Sequence, residues 1–173
     1  MKIRTERLLL RPVTMGDVDS THAYASDPEN TKFMMFLPYA SPEETKEAVQ
    51  KAVDEWLKPE PEFCEFAITK DGEHIGSITL YIVEDRTVGE LGWVLSKHHW
   101  HHGYVTEAAR AMIPYARERW GIKRLFACCD SENAPSYHVM ERIGMHCTVN
   151  NGKRTNRSMG SEERVEWVYE MML

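Results

Sequence analysis

The chain of 173 residues contains no apolar run near the roughly 20 residues that a bilayer span requires, and no apolar signal-peptide core near its start. Both absences point to the cytoplasm and away from any membrane role. Its four cysteines, Cys64, Cys128, Cys129 and Cys147, show neither paired C-x-x-C spacing nor the density of a disulfide scaffold. Three of them lie in strand-like runs, where a reduced cysteine acts as a small apolar residue. The near-contiguous His98, His99, His101 and His102 have no carboxylate or cysteine at a matching spacing and cannot all point at one ion from a turn. No metal site is therefore expected. Basic charge is also short: 21 lysines and arginines against 27 acidic residues leave a net charge of −6, which argues against a nucleic-acid partner. An acidic surface suits a cationic acceptor such as an amine or a basic peptide. Internal repeats, low-complexity tracts and linkers are missing too, so residues 1–173 read as one domain.

Two phosphate-binding signatures are absent as well, the G-x-x-x-x-G-K-[ST] loop and the G-x-G-x-x-G fingerprint. In their place, the strand-like run Glu90 to Leu95 leads through His98-His99-Trp100-His101-His102-Gly103 into a long amphipathic helix that begins Tyr104-Val105-Thr106. A strand, a tight glycine turn and a helix start leave unpaired N–H groups where the helix dipole favours negative charge. Such a turn is a natural cradle for a pyrophosphate.

The remaining elements follow from periodicity. A first strand is expected from about Ile3 to Pro12, and a short helix from Thr14 or Asp17 to about Ser26. Ser41-Pro42-Glu43-Glu44 is a strong helix start, and Ala48, Val49, Ala52, Val53, Trp56 and Leu57 follow at helical spacing. Phe63–Thr69 and His74–Val83 read as a hairpin turned by Asp71-Gly72, and Val88–Leu95 as the next strand. The central helix Tyr104–Trp120 closes at Gly121. A strand over Lys123–Cys129, a helix over Pro135–Ile143, and strands over Met145–Asn150 and Arg164–Met172 complete the chain. The polar segment from Asn150 to Glu163 is expected to link the last two. The fold class is α+β, a mixed and mostly antiparallel central sheet flanked by helices.

Two segments together, His98 to Ala109 and Asn133-Ala134-Pro135-Ser136 through Gly144, resemble the GNAT superfamily of acetyl-CoA-dependent N-acetyltransferases. The opening Ile3 to Pro12 resembles in particular the branch containing the ribosomal-protein N-terminal acetyltransferases. The resemblance implies the GNAT (acyl-CoA N-acyltransferase) fold and acetyl-CoA as co-substrate. It also implies that the main chain of Trp93, Val94 and Leu95 pairs with the pantetheine arm. The family's pyrophosphate motif falls on Trp100 to Val105, with Gly103 matching and Trp100 and Val105 departing. The N–H groups of His101, His102, Gly103, Tyr104, Val105 and Thr106 are expected to hold the phosphates.

Asn133 would bond the pantetheine amides, although Asn before Ala-Pro-Ser is equally an ordinary helix cap. Many members place a tyrosine acid four residues before the glycine matching Gly144, and this chain has Met140 there. Ser136 is then the first candidate acid, with Tyr137 behind it. Glu90 is the candidate base, or else a solvated strand residue. The acceptor side is expected from Lys32 to Tyr39 and from Asn150 to Arg157. The implied reaction is direct acetyl transfer to a primary amine, such as a protein N-terminus or a small amine. A non-catalytic acyl-CoA-binding module is the alternative, and a homodimer is a reasonable expectation for the branch.

Overall fold

The computed structural model describes all 173 residues. Eight strands form one sheet in the order β1-β2-β3-β4-β5-β6-β8-β7. The strands are β1 (Ile3–Arg4), β2 (Leu9–Pro12), β3 (Phe63–Lys70), β4 (Glu73–Val83), β5 (Val88–Leu95), β6 (Arg124–Asp130), β7 (His146–Thr155) and β8 (Glu163–Met172). The helices are α1 (Val18–Ala25), α2 (Pro42–Glu55), α3 (Tyr104–Trp120) and α4 (Ala134–Arg142). Every pairing is antiparallel except β5 with β6, which the α3 crossover joins in parallel. No helix is long and apolar enough to cross a membrane.

Local chemistry explains the main boundaries. Ser41 Oγ accepts the N–H of Glu44 at the start of α2, with Pro42 in the first turn. Asp71 and Gly72 both take positive φ, which turns β3 into β4. Gly121, at φ 67°, ends α3.

Two expectations are corrected. The single strand expected over Ile3–Pro12 is a hairpin, with Ile3 opposite Leu10 and Arg4 opposite Leu9. The Thr5 hydroxyl accepts the N–H of Leu8 at 3.0 Å and closes a turn that contains neither glycine nor proline. The last linker is shorter than expected, because β7 runs on to Thr155 against β8.

The two faces of the sheet differ in character. On one, Phe66, Ile68, Ile78, Leu80 and Leu125 pack against Met112, Ala108 and Ala109 of α3 and Met140 of α4 in the main core. The other is covered by α1, α2 and the segment between them. It carries Glu65, Ser77, Thr79, Tyr81, Glu90 and Cys128, which alternation places together.

The feature that positions the site is a gap between β5 and β6. They pair only at Val88–Arg124, Gly89–Leu125 and Glu90–Phe126, and from Leu91 onward β5 has no partner on that side. Beyond Glu90 the two strands diverge and leave an opening through the sheet.

Candidate functional site

The opening lies in a cavity of about 810 Å³ that runs from the start of α3 and α4, between β5 and β6, to the segment after α1. It is lined by Trp93, Val94, Leu95, His101, Gly103, Tyr104, Val105, Thr106, Asn133 and Ser136 on one side. On the other stand Tyr81, Glu90, Cys128, Arg154 and the Lys32–Phe36 segment. Of the residues expected to hold the cofactor, His102 alone is absent from the lining. Its ring stacks on Tyr104 at 5.4 Å and its carbonyl accepts from Arg7 at 2.9 Å.

His101 and Gly103 both adopt left-handed backbone, at φ 64° and 76°. This winds the loop so that the N–H groups from His101 to Thr106 find no acceptor within the chain. The first helical bond there is Glu107 N–H to the Gly103 carbonyl. Six successive free donors at a helix N-terminus form an anion-binding concavity. The Trp100 indole ties this loop to β5, donating to the Leu95 carbonyl at 2.9 Å. Arg7, which sequence reasoning passed over, lies 4.7 Å over the Tyr104 ring and pairs with Glu107 at 2.7 Å. Its carboxylate partner is thereby neutralised in the turn where an anion would sit.

Along β5 the strand pattern divides the main chain. Ser96 N–H bonds the Ile75 carbonyl of β4, so Val94, two residues earlier, directs its groups to Ser77. Trp93 and Leu95 face the gap instead. The expected main-chain role of Val94 is corrected accordingly, since its groups are used within the sheet. The Leu95 carbonyl already accepts from Asn30 and Trp100, which leaves its N–H.

At the α4 start, the Asn133 side chain makes no cap hydrogen bond. It lines the cavity with its amide free. Ser136, one turn on, also lines it. Tyr137 does not, packing instead on Trp167 at 5.0 Å, and Met140 is fully buried in the core.

Glu90 stands opposite Tyr81 on the acceptor-facing side. Burial, then the Glu166 carboxylate, pushes its carboxyl above the ordinary value, while Arg154 opposes the shift. Arg154 itself is buried and held by Asn156 at 2.9 Å, the Phe33 carbonyl at 3.0 Å and Glu166 at 3.4 Å. Asn156 is fully buried and donates to Asp130. Arg154 lies in the Asn150 to Arg157 stretch expected on the acceptor side, but nothing in that polar stretch singled it out, because its partners Phe33 and Glu166 are distant in sequence. Burial lifts the Cys128 and Cys129 thiols to about 12. No three His, Cys, Asp or Glu side chains converge as a metal site. His99 lies 3.5 Å from Glu73, and His102 is stacked as described.

Residues 7–146 match the model of the acetyltransferase (GNAT) domain. The chain is 32% identical over 148 residues to the uncharacterized N-acetyltransferase YnaD of Bacillus subtilis, covering 84% of this chain and 82% of that protein. Among solved structures it is similar to a GNAT-family acetyltransferase from Bacillus anthracis, with a TM-score of 0.86 and 30% identity over 99% of this chain and 98% of that one. The RimL ribosomal L7/L12 alpha-N-protein acetyltransferase, solved with coenzyme A, shares the fold at a TM-score of 0.88 and 17% identity, covering 100% of this chain and 98% of that one.

Proposed function

The chain belongs to the GNAT family of acetyltransferases, and from that membership we propose that it moves the acetyl group of acetyl-CoA directly to a primary amine in a ternary complex. The observation that carries this reading is the run of six unpaired N–H groups from His101 to Thr106 beside the open edge of β5. Those donors suit a pyrophosphate, and the free N–H groups of Trp93 and Leu95 suit the amide-bearing arm that follows it. Asn133 meets the same arm from the α4 side. The bound thioester supplies an acetyl carbon already activated toward nitrogen.

Glu90 takes the proton that an ammonium must lose before it can attack. Its raised carboxyl pKa suits that role near neutral pH. A C–N bond forms, the C–S bond breaks, and Ser136 supplies a proton to the departing thiolate. The N–H groups on the β5 edge oppose the negative charge that develops on the carbonyl oxygen. Cys128 and Cys129, protonated at neutral pH, argue for direct transfer over an acyl-cysteine intermediate.

The acceptor enters from the Lys32–Phe36 side, where Met35 and Phe36 remain exposed at the rim. A protein N-terminus of the kind modified by ribosomal-protein acetyltransferases fits the fold likeness. A small amine fits the site equally. Calorimetry with acetyl-CoA tests the cofactor half of the reading. Micromolar binding is expected for the wild type and loss of binding for Gly103→Pro, which cannot hold the positive φ of that turn and lacks the donor. Failure of the folded wild type to bind acetyl-CoA would overturn it.

A further inference from the structure

The phosphate cradle between His101 and Thr106 contains no lysine or arginine, so its hold on an anion depends on how its peptide groups are turned. From Gly103 onward the helix turns them. The Gly103 carbonyl accepts the Glu107 N–H at 3.0 Å, and the carbonyls that follow belong to α3. The His102 carbonyl precedes the helix, and no main-chain N–H reaches it. Its partner is Arg7, whose Nη1 donates to it at 2.9 Å.

Arg7 stands in the turn between β1 and β2, 95 residues earlier in the chain. Glu107 holds it there. The Arg7 Nε donates to one oxygen of that carboxylate at 2.7 Å, and the Arg7 main-chain N–H donates to the other at 2.8 Å. The Thr5 hydroxyl donates to the same carboxylate. The guanidinium lies 4.7 Å over the Tyr104 ring, and its Nη2 is 3.7 Å from where a Cβ on Gly103 would stand.

A trans peptide is planar, with its carbonyl and its N–H pointing in opposite directions. The His102–Gly103 peptide is trans. Arg7 and His102 lie outside the cavity lining, whereas Gly103 lies within it. The carbonyl that Arg7 holds therefore points away from the cavity, and the Gly103 N–H on the same peptide points into it. Were this peptide to turn over, a carbonyl oxygen would replace a donor in the cradle and repel a phosphate. Gly103, free of a Cβ, offers little resistance to that rotation, which leaves the Arg7 bond to prevent it.

We propose that Arg7 is a positioning residue for acetyl-CoA: from the β1–β2 turn it locks the His102–Gly103 peptide with its N–H toward the pyrophosphate. It acts through the loop and does not touch the phosphates. Glu107 aims the guanidinium and is neutralised by it. This deepens the acetyl-transfer reading and rests on it for the identity of the ligand.

Calorimetric titration of the wild type, Arg7→Lys and Arg7→Ala with two ligands tests the proposal. One is acetyl-CoA, and the other is S-acetylpantetheine, which keeps the thioester arm and lacks the phosphates. Lysine at this partly exposed position can pair with Glu107 but has no second arm for the His102 carbonyl. Arg7→Lys is expected to lose about tenfold in acetyl-CoA affinity, and Arg7→Ala, which also uncovers the Glu107 charge, about a hundredfold. S-acetylpantetheine should bind all three proteins within about twofold. Acetyl-CoA binding by folded Arg7→Lys within about twofold of the wild type overturns the proposal, and the lysine variant alone is decisive. So does an equal loss for both ligands, which would make Arg7 a fastener of the hairpin only. A wild type that binds acetyl-CoA with indifferent Arg7 variants strikes the positioning role and keeps the acetyl-transfer reading. A wild type that binds no acetyl-CoA strikes both.

Discussion

A carboxylate acts as a base near neutrality only when its pKa has been moved toward the working pH, and Glu90 owes its shift to position. It sits where β5 and β6 last pair, half covered, with Glu166 near and Arg154 opposing. The sign is that of a base active when deprotonated. kcat/KM should climb with pH through the raised Glu90 value and then level. Glu90→Gln is expected to lower kcat on the order of 10²-fold and to flatten that acidic limb, with acetyl-CoA affinity unchanged. A retained limb in the variant would assign the base elsewhere, and a pH–rate series on both proteins decides. Gly103 and Ser136 could be proposed from the sequence because each stands in a motif with fixed spacing, and Glu90 because it lies on the strand that leads into the first of them. That Glu65 faces inward could not. In Phe63-Cys64-Glu65-Phe66, alternation alone gives it an outward face, and only the covering α1 and its neighbouring segment turn that face inward.

Most elements declared themselves through strong local signals, and the misses lie where those signals were weak. The β1–β2 turn is closed by a threonine hydroxyl rather than by glycine or proline, so it left no punctuation. Apart from the buried Arg154, the tail of β7 has polar and mostly exposed residues because β8 pairs it on one side only. The β4–β5 pair shows a constraint that hydropathy cannot carry. A Cβ on Gly76 would lie 2.4 Å from the Val94 carbonyl oxygen and 2.9 Å from the Leu95 Cα, both backbone atoms. The glycine is needed for close approach of the strand end that presents Trp93 and Leu95 to the gap. Gly76→Ala should push this end outward, lowering stability by about 1–3 kcal/mol and weakening acetyl-CoA binding. Urea unfolding and calorimetry measure the two effects, and a variant matching the wild type in both would show that the strand end yields freely.

Across the whole molecule, the acceptor wall is assembled from segments far apart in sequence. The chain after α1 is tied to β5 by Asn30, which bridges the Leu95 carbonyl at 3.0 Å and the Lys97 N–H at 2.6 Å. It is tied to the other end of the sheet by Arg154 on the Phe33 carbonyl, Arg157 on Glu44 and Ser158 on the Lys32 carbonyl. Contacts separated by more than a hundred residues leave no local pattern, which is why the wall was legible only as two candidate stretches. Arg154 joins this scaffold to the chemistry, because the cation that holds Phe33 also lowers the pKa of Glu90. Removing its charge and removing its fork should therefore separate. Arg154→Met takes away the opposing cation, so the Glu90 pKa rises and the acidic limb of kcat/KM moves to higher pH. It also leaves Glu166 unpaired at a cost of about 3–5 kcal/mol. Arg154→Lys keeps a charge near Glu90 but cannot span Asn156, Glu166 and the Phe33 carbonyl together. Its limb should stay near that of the wild type while KM for the amine rises, because the Phe33 segment is no longer held. Identical pH profiles for the Met and Lys variants would mean that Arg154 supports the wall alone and leaves the base untouched.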